Sequence, residues 1–253
     1  MLKKNFLALV VLMLLSSFAG NEISAQTSPK QTIVIVHGAW GGAWAFKKVE
    51  ALLRQKGFDV YRPQLTGQGD RVHLARPDIG LNTHIDDVVN TILYEELRDI
   101  ILVGHSYGGM VISGVADRVP DRVKRLVYLD AMVPNDGESV ETLFGRRDFI
   151  KQMTRGDYMV PPWVKPDQPP PHDVPQAVKT FTDTIVLKNE AARKLPATYI
   201  LTVDKGKEPK SDDFFAQSER ARGRGWSMLQ LTSDHNPQWS APEALADMLA
   251  AIR

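Results

Sequence analysis

No part of this sequence restricts the possible folds as strongly as the pentapeptide Gly104-His105-Ser106-Tyr107-Gly108. The apolar run 100–103 before it predicts a buried strand, and the pattern after it predicts a helix over 107–119. A serine on so sharp a strand-to-helix turn has a strained backbone, and glycines two residues before and after it leave the space that the turn needs. We therefore predict a sheet whose edge presents the Ser106 hydroxyl at the positive end of a helix, as a candidate nucleophile.

Strand and helix signals alternate along the rest of the chain, which predicts an α/β fold with a mostly parallel central sheet flanked by helices. The predicted strands cover 32–36, 59–62, 100–103, 125–129, 198–203 and 226–231. The predicted helices cover 44–56, 83–97, 107–119 and 242–252. Thr83 is the expected N-cap of the second helix, because its hydroxyl can accept a hydrogen bond from the first helical turn.

The alternation stops between Pro134 and Pro196, a stretch that holds nine of the sixteen prolines. A long segment without regular structure inside a compact domain is usually functional. We predict that this stretch, the lid segment, is an insertion that covers the site. One domain is therefore expected over residues 31–253.

A serine hydroxyl needs a base, and histidine is the usual one. In a sheet of this kind the nucleophile, the acid and the histidine follow one another along the chain, so only His172 and His235 remain as candidates. His172 lies in the proline-rich part of the lid segment. His235 lies in a short loop after the last predicted strand, where the base is expected, and we predict it as the base.

The acid that orients His235 should end a neighbouring strand. Asp204 ends the predicted strand 198–203, and Asp130 ends the predicted strand 125–129, so both are candidates. Asp234 adjoins His235 and is poorly placed to bond its own neighbour. Position along the chain favours Asp204 and leaves Asp130 as the alternative.

A glycine-rich loop, residues 37–44, follows the first predicted strand. Acyl transfer needs two backbone N–H groups directed at the developing oxyanion, one from the residue after the nucleophile and one from a loop of this kind. We predict the N–H groups of Tyr107 and Ala39. The apolar wall of a substrate pocket is expected from aromatic side chains, of which the candidates are Trp40, Trp44, Tyr107, Phe144 and Trp163.

Composition excludes several other chemistries. The chain has no cysteine, which removes a thiol nucleophile and any disulfide framework. Its 31 basic and 30 acidic residues nearly cancel, and a net charge of +1 argues against nucleic-acid binding. The six histidines are scattered and the glycine-rich loop has no nucleotide-binding pattern, so we predict no metal ion and no cofactor.

Residues 1–25 read as a secretory signal peptide. Lys3 and Lys4 precede the apolar run 6–15, and Ile23-Ser24-Ala25 offers a cleavage site. The apolar run is shorter than the roughly 20 residues of a transmembrane helix, although an uncleaved anchor remains the alternative. We predict export to the periplasm or the medium, with no stable membrane anchor after cleavage.

Four stretches together resemble the α/β-hydrolase superfamily: 36–44, 103–110, 202–206 and 233–235. Within it the chain is most similar to the branch of plant methylesterases, salicylate-binding esterases and hydroxynitrile lyases, with small bacterial esterases, which the stretch 67–74 also resembles. The resemblance covers essentially residues 31–253. It implies Asp204 as the acid and Ala39 and Tyr107 as oxyanion donors.

The expected function is hydrolysis of a small or aromatic uncharged carboxylic ester by a serine hydrolase. Hydroxynitrile lyases of the branch carry a threonine in the first loop and a lysine after the histidine, where this chain has Ala39 and Asn236. The lyase reaction is thereby disfavoured. A lactonase, an acyl transferase and a ligand-binding module remain as alternatives, and the expected partner is a small-molecule ester.

Overall fold

A six-stranded parallel sheet forms the centre of the molecule, in a computed structural model that describes residues 30–145, 147–165 and 167–252. The strands, numbered along the chain, are β1 (Thr32–Val36), β2 (Asp59–Tyr61), β3 (Ile100–His105), β4 (Val123–Leu129), β5 (Thr154–Arg155), β6 (Tyr158–Met159), β7 (Gln176–Ala177), β8 (Ala197–Val203) and β9 (Ser227–Thr232). The central sheet has the order β2-β1-β3-β4-β8-β9, and all its pairs are parallel. The predicted α/β architecture is confirmed.

Alternate residues of the central strands pack into two separate hydrophobic cores, one on each face of the sheet. Val34 and Val36 of β1 belong to one cluster, whereas Ile33 and Ile35 belong to the other. Successive side chains of a strand point to opposite faces, so an uninterrupted apolar run such as β1 is buried from both sides. The sheet is therefore covered by helices on each face.

The α-helices, again numbered along the chain, are α1 (Lys47–Gln55), α2 (Leu81–Tyr94), α3 (Gly108–Arg118), α4 (Val140–Phe144), α5 (Arg147–Met153), α6 (Lys179–Thr182), α7 (Glu190–Arg193), α8 (Phe215–Gly223), α9 (Pro237–Ser240) and α10 (Pro242–Ala251). Short 3-10 turns cover Ala43–Phe46, Gly69–Leu74, Pro120–Arg122 and Pro209–Ser211. Helix α1 packs against α10 on one face, and α2 packs against α3 on the other. No helix in the described part of the chain is both long and apolar enough to span a membrane.

Helix α2 begins before the predicted N-cap. Its first residue is Leu81, so Thr83 lies inside the first turn. The Leu81 N–H donates to Oδ2 of Asp183, a residue of the lid segment 102 positions later. A carboxylate at a helix N-terminus satisfies a free N–H and interacts favourably with the helix dipole. The cap is therefore supplied from a distant part of the chain.

The lid segment contains short elements between β4 and β8. Strands β5, β6 and β7 form a small antiparallel sheet in that order, and helices α4 to α7 belong to the same segment. Side chains from this segment line the cavities next to Ser106. The predicted signal peptide, residues 1–25, lies outside the described residues.

Candidate active site

The turn that carries Ser106 joins β3 to α3. Ser106 has a left-handed backbone, with φ of 54°, which is uncommon for a residue other than glycine. A Cβ on Gly108 would lie 2.7 Å from the carbonyl oxygen of Val36, and one on Gly104 would lie 2.6 Å from that of Gly108. Neither distance is tolerable, so the two glycines allow the close approach that forms the turn.

His235 contacts the Ser106 hydroxyl. It follows β9 after two residues, and its Nε2 lies 3.0 Å from Ser106 Oγ. The Phe214 ring stacks on the His235 imidazole at a centroid distance of 4.6 Å. The His105 ring lies 4.8 Å from the same imidazole. These rings restrict the orientation of the His235 side chain. The structure therefore brings together the predicted nucleophile and the predicted base.

His105 holds the backbone of the His235 loop. Burial lowers the pKa of His105 to about 3, which leaves its ring neutral at ordinary pH. Its Nε2–H donates to the carbonyl oxygen of His235 over 2.8 Å. The residue before the nucleophile thus fixes the position of the base.

The carboxylate that contacts His235 belongs to Asp130, and the expectation of Asp204 in this place is corrected. Asp130 Oδ2 lies 2.6 Å from His235 Nδ1, and Asp130 Oδ1 accepts a hydrogen bond of 3.2 Å from the N–H of Thr202. The Asp130 side chain is completely buried. Asp204 instead forms an ion pair of 2.5 Å with Lys207, with its side chain 41% exposed.

Sheet order explains this choice between the two carboxylates. Strand β4 is the immediate neighbour of β3, whereas β8 lies one strand farther from Ser106. The N–H of Met132, two residues after Asp130, donates to the carbonyl oxygen of Ser106 over 3.1 Å. The end of β4 is therefore joined directly to the nucleophile turn.

A further carboxyl group, that of Asp212, faces the same carboxylate. Burial, and after it the negative charge of Asp130, raises the pKa of Asp212 to about 6. The Phe214 N–H, which donates to Asp212 Oδ1 over 2.8 Å, acts in the opposite direction. Within the described residues no group of three or more His, Asp and Glu side chains is arranged to hold a metal ion.

The loop after β1, residues 37–42 and called the β1 loop below, is held from beneath by a neutral histidine. Burial lowers the pKa of His37 to about 4. Its Nδ1–H donates to the Gly38 carbonyl oxygen over 2.8 Å, and its Nε2 accepts from the Leu65 N–H over 3.3 Å. Gln64 also contacts His37 Nε2, and its Oε1 accepts from the Ala43 N–H over 2.9 Å.

The lid segment holds the same loop from above. Trp40 has a left-handed backbone with φ of 61°. Its N–H donates to Oε1 of Gln176 over 2.8 Å, and its carbonyl oxygen accepts from the Val174 N–H over 2.8 Å. These two bonds hold a conformation that a non-glycine residue seldom adopts. Nothing in the sequence pattern identified Gln176.

The two predicted donor groups belong to Ala39, which lines both cavities at Ser106, and to Tyr107, the residue after the nucleophile. Among the described hydrogen bonds, neither the Ala39 N–H nor the Tyr107 N–H donates to a protein acceptor. The Tyr107 side chain is fully buried, and its hydroxyl bonds Nδ1 of His84 over 2.9 Å. His84 is neutral because burial lowers its pKa to about 4, and it donates through Nε2 to the Thr66 carbonyl oxygen. The Tyr107 side chain is thus held in the core. It lines neither cavity, in contrast to the prediction that it belongs to the pocket wall.

Two cavities meet at Ser106. The first, the apolar cavity, has a volume of about 260 Å³, and Met132, Phe144, Phe181 and Phe214 form much of its wall. The second, the polar cavity, has a volume of about 430 Å³ and includes Asp173, Asn236, Gln238 and Trp239. Both cavities are also lined by Ala39, Trp40, Ser106, Trp163 and His235.

Some of the aromatic residues predicted for the pocket wall line the cavities, and others pack behind them. Trp40 and Trp163 line both cavities and meet edge to face at 5.6 Å, and Phe144 lines the apolar cavity. Trp44 lines neither: it lies in the 3-10 turn against the core and stacks on Trp239 at 5.7 Å. The alternative base, His172, lies beside Asp173 in the lid segment, and its Nδ1 has no hydrogen-bond partner in the described structure.

Comparison with known proteins identifies the family of this chain. A sequence model described as "Alpha/beta hydrolase family" matches residues 33–248. A carbendazim hydrolyzing esterase of Nocardioides sp. (strain SG-4G) is 36% identical over 240 residues, which cover 87% of this chain and 98% of that esterase. A pyrethroid hydrolase of Sphingobium wenxiniae is 27% identical over 250 residues, covering 86% of each chain.

A solved extracellular α/β-hydrolase from a Paenibacillus species superposes with a TM-score of 0.71 at 23% identity. The superposition covers 87% of this chain and 97% of that one, and it supports the fold. The chain belongs to the α/β hydrolase family. Within that family it is a hydrolase of the carboxylesterase type, as the bacterial esterase and the plant methylesterases among its relatives indicate.

Proposed function

We propose that this chain hydrolyses carboxylic esters through Ser106, His235 and Asp130, by way of an acyl-enzyme. The observation that carries the proposal is one unbroken chain of contacts. Ser106 Oγ lies 3.0 Å from His235 Nε2, and His235 Nδ1 lies 2.6 Å from Asp130 Oδ2. Nucleophile, base and orienting acid in this order define a triad by geometry rather than by position in the sequence.

In the acylation step, Ser106 Oγ attacks the ester carbonyl carbon while His235 Nε2 accepts the hydroxyl proton. The bond from Oγ to the acyl carbon forms, and the bond from that carbon to the alcohol oxygen breaks. His235 returns its proton to the departing alcohol oxygen. Asp130 keeps the Nδ1–H in place and stabilises the imidazolium that exists between the two proton transfers.

In the deacylation step, water replaces the alcohol. His235 accepts a proton from the water, whose oxygen attacks the acyl carbon. The bond from Ser106 Oγ to the acyl carbon then breaks, His235 returns the proton to Oγ, and the carboxylic acid leaves. The N–H groups of Ala39 and Tyr107 are the proposed donors to the oxyanion in both steps. Losing one donor of this kind typically costs about 3 kcal/mol of transition-state stabilisation.

The cavities support a small or aromatic uncharged ester as substrate. The wall of the apolar cavity consists mainly of aromatic and aliphatic side chains, which suit an apolar acyl group, and the acidic residues Glu141 and Asp213 also line it. The names of two bacterial relatives, a carbendazim hydrolyzing esterase and a pyrethroid hydrolase, support a small organic molecule as substrate. A small-molecule ester is accordingly the proposed partner.

The test compares Ser106→Ala with the wild type in the hydrolysis of p-nitrophenyl acetate, together with labelling by a fluorophosphonate. We expect labelling at Ser106 and a loss of kcat of at least about 10⁴-fold in the variant. Ser227→Ala, an exposed serine on β9, is the matched control and should keep full activity. Wild-type turnover in Ser106→Ala would overturn the proposal. Cleavage of mandelonitrile in preference to esters would favour a lyase.

We further propose that residues 1–25 direct export, because basic residues, an apolar run and a small-residue site follow one another there. Cell fractionation and the mass of the exported protein test this proposal. Export with loss of about 25 residues is expected, and retention of the full-length chain in the cytoplasm would contradict it.

A further inference from the structure

The two cavities meet at Ser106, so each can hold one half of an ester, the acyl group or the alcohol group. Trp40 and Trp163 lie between them and belong to both walls. An ester whose carbonyl carbon lies at Ser106 Oγ therefore has its acyl group on one side and its alcohol on the other. Which half enters which cavity decides the substrate range.

Exposure separates the two cavities. The apolar cavity is closed by buried side chains such as Met132, Phe181 and Phe214. Trp239, which is 50% exposed, lines the polar cavity and not the apolar one. The acyl group stays bonded to the serine during turnover, whereas the alcohol must depart and water must take its place. The open, polar cavity suits the half that departs.

Gln238 lines this cavity and carries a buried polar atom without a partner in the described structure. The residue is 3% exposed, and its Nε2 donates to Oδ1 of Asn236 over 3.1 Å. Its Oε1 is buried and accepts no hydrogen bond within the described structure. A buried acceptor of this kind lowers the free energy of binding for a ligand that brings a donor and penalises one that does not.

Other residues in the wall of the polar cavity indicate the shape and charge of the ligand. The rings of Trp163 and Trp239 offer faces and edges to a flat aromatic group. The Asp173 carboxylate, which accepts from Trp163 Nε1 over 2.9 Å, lies in the same cavity and disfavours an anionic ligand. The volume of about 430 Å³ accommodates a substituted ring.

We infer that the polar cavity is the leaving-group site of the enzyme, and that it selects an uncharged aryl leaving group whose hydroxyl or N–H donor bonds Gln238 Oε1. This inference rests on the proposed function, since it assumes that Ser106 is acylated. It assigns Gln238 and Trp239 as specificity-determining residues on the alcohol side.

The test uses two acetate esters with leaving groups of nearly the same shape, 4-(hydroxymethyl)phenyl acetate and 4-ethylphenyl acetate. Both give the same acetyl-enzyme, so a difference in kcat/KM reports the leaving-group side alone. We expect the wild type to prefer the hydroxymethyl ester by about fivefold, the range of one hydrogen bond between uncharged groups. In Gln238→Met, which keeps the side-chain length and removes the acceptor, the ratio should fall to about one.

A second variant tests the aromatic wall of the polar cavity and does not involve the buried Gln238 side chain. Trp239→Ala should lower kcat/KM for both aryl acetates by a larger factor than that for ethyl acetate, because ethanol is too small to reach the ring. Tyr94→Ala, an 87% exposed aromatic residue on α2, is the matched control and should change none of the three.

Reversed esters test the assignment of halves. Methyl 4-(hydroxymethyl)benzoate and methyl 4-ethylbenzoate carry the same substituents on the acyl side, and their ratio should not respond to Gln238→Met. A response there, or a fivefold preference that survives in Gln238→Met, would overturn the inference. Equal wild-type turnover of both acetates would also overturn it, and if that turnover depends on Ser106 the proposed function still stands. Turnover that is independent of Ser106 would instead remove the proposed function.

Discussion

His235 donates its Nδ1–H to Oδ2 of Asp130 over 2.6 Å, and the other oxygen of that carboxylate accepts from the Thr202 N–H of the neighbouring strand. The carboxylate is thus fixed by one bond from β8 while it orients the base. Because the carboxylate is completely buried, no solvent competes with His235 for its oxygen.

Replacement of Asp130 by asparagine should lower kcat by about 10⁴-fold, the size of effect found when a triad acid becomes an amide. The amide cannot stabilise the imidazolium, and its NH₂ group can favour the wrong tautomer of His235. Steady-state hydrolysis of p-nitrophenyl acetate measures the loss, and thermal unfolding verifies that the variant is folded.

Asp204→Asn is the matched control, because Asp204 also ends a central strand but contacts Lys207 at the surface. We expect its kcat to stay within about twofold of the wild type, as for most changes in exposed ion pairs. A large loss in Asp204→Asn together with a small one in Asp130→Asn would reverse the assignment of the acid.

The two candidate acids show where prediction from this sequence reaches its limit. Ser106 and His235 could be predicted because each lies in a local pattern, a glycine-framed turn or a loop after the last strand. Asp130 and Asp204 both follow apolar strands, and the pattern along the chain does not distinguish them. Only the order of strands in the sheet, with β4 beside β3, places Asp130 next to the nucleophile turn.

Contacts between distant segments escaped prediction for the same reason. Asp183 caps α2 from 102 residues away, and Gln176 bonds Trp40 across 136 residues. Periodicity predicts which residues form a helix or strand, but it carries no information on which distant side chain meets a free N–H. The fold class was therefore predictable, whereas the groups that hold the β1 loop were not.

Gln176→Met should lower kcat for ester hydrolysis by about tenfold with little change in KM. Without the Gln176 acceptor, the Trp40 N–H is unsatisfied and its left-handed backbone can relax, which would displace the adjoining Ala39 N–H, a proposed donor to the oxyanion. Kinetics with p-nitrophenyl acetate separate kcat from KM.

The matched control for Gln176 is Gln217→Met. Gln217 is also buried and also accepts a backbone N–H, that of Val133, but it lies away from the β1 loop. Both variants should lose similar stability, whereas only Gln176→Met should lose kcat. Equal kcat values in the two variants would exclude a positioning role for Gln176.

Two glycine-to-alanine changes should have opposite effects on stability. In Gly108→Ala the new Cβ would lie 2.7 Å from the Val36 carbonyl oxygen, so α3 must move away from β1. A loss of about 1–3 kcal/mol is expected, with a parallel loss of activity. In Gly223→Ala, at the end of α8, no atom lies within 4 Å of the new Cβ, and a gain of up to about 1 kcal/mol is expected. Urea unfolding of both variants measures the two signs, and destabilisation by Gly223→Ala would contradict the expectation.

Asp212 gives the protein a pH-dependent loss of stability. Burial, with help from the charge of Asp130, raises the pKa of Asp212 from 3.8 to about 6 in the folded state. The folded protein therefore binds this proton more tightly than the unfolded chain, and the resulting stability is present below about pH 4 and lost as the pH rises to about 6.

Asp212→Asn removes this titration and keeps an oxygen that can accept the Phe214 N–H. We therefore expect the variant to gain stability relative to the wild type as the pH increases from 4 to 7. The gain should be on the order of 1 kcal/mol, since solvent screens a group that is only partly buried. Urea unfolding at pH 4, 5, 6 and 7 measures the difference. A constant difference in unfolding free energy between Asp212→Asn and the wild type from pH 4 to pH 7 would contradict a raised pKa of the Asp212 carboxyl.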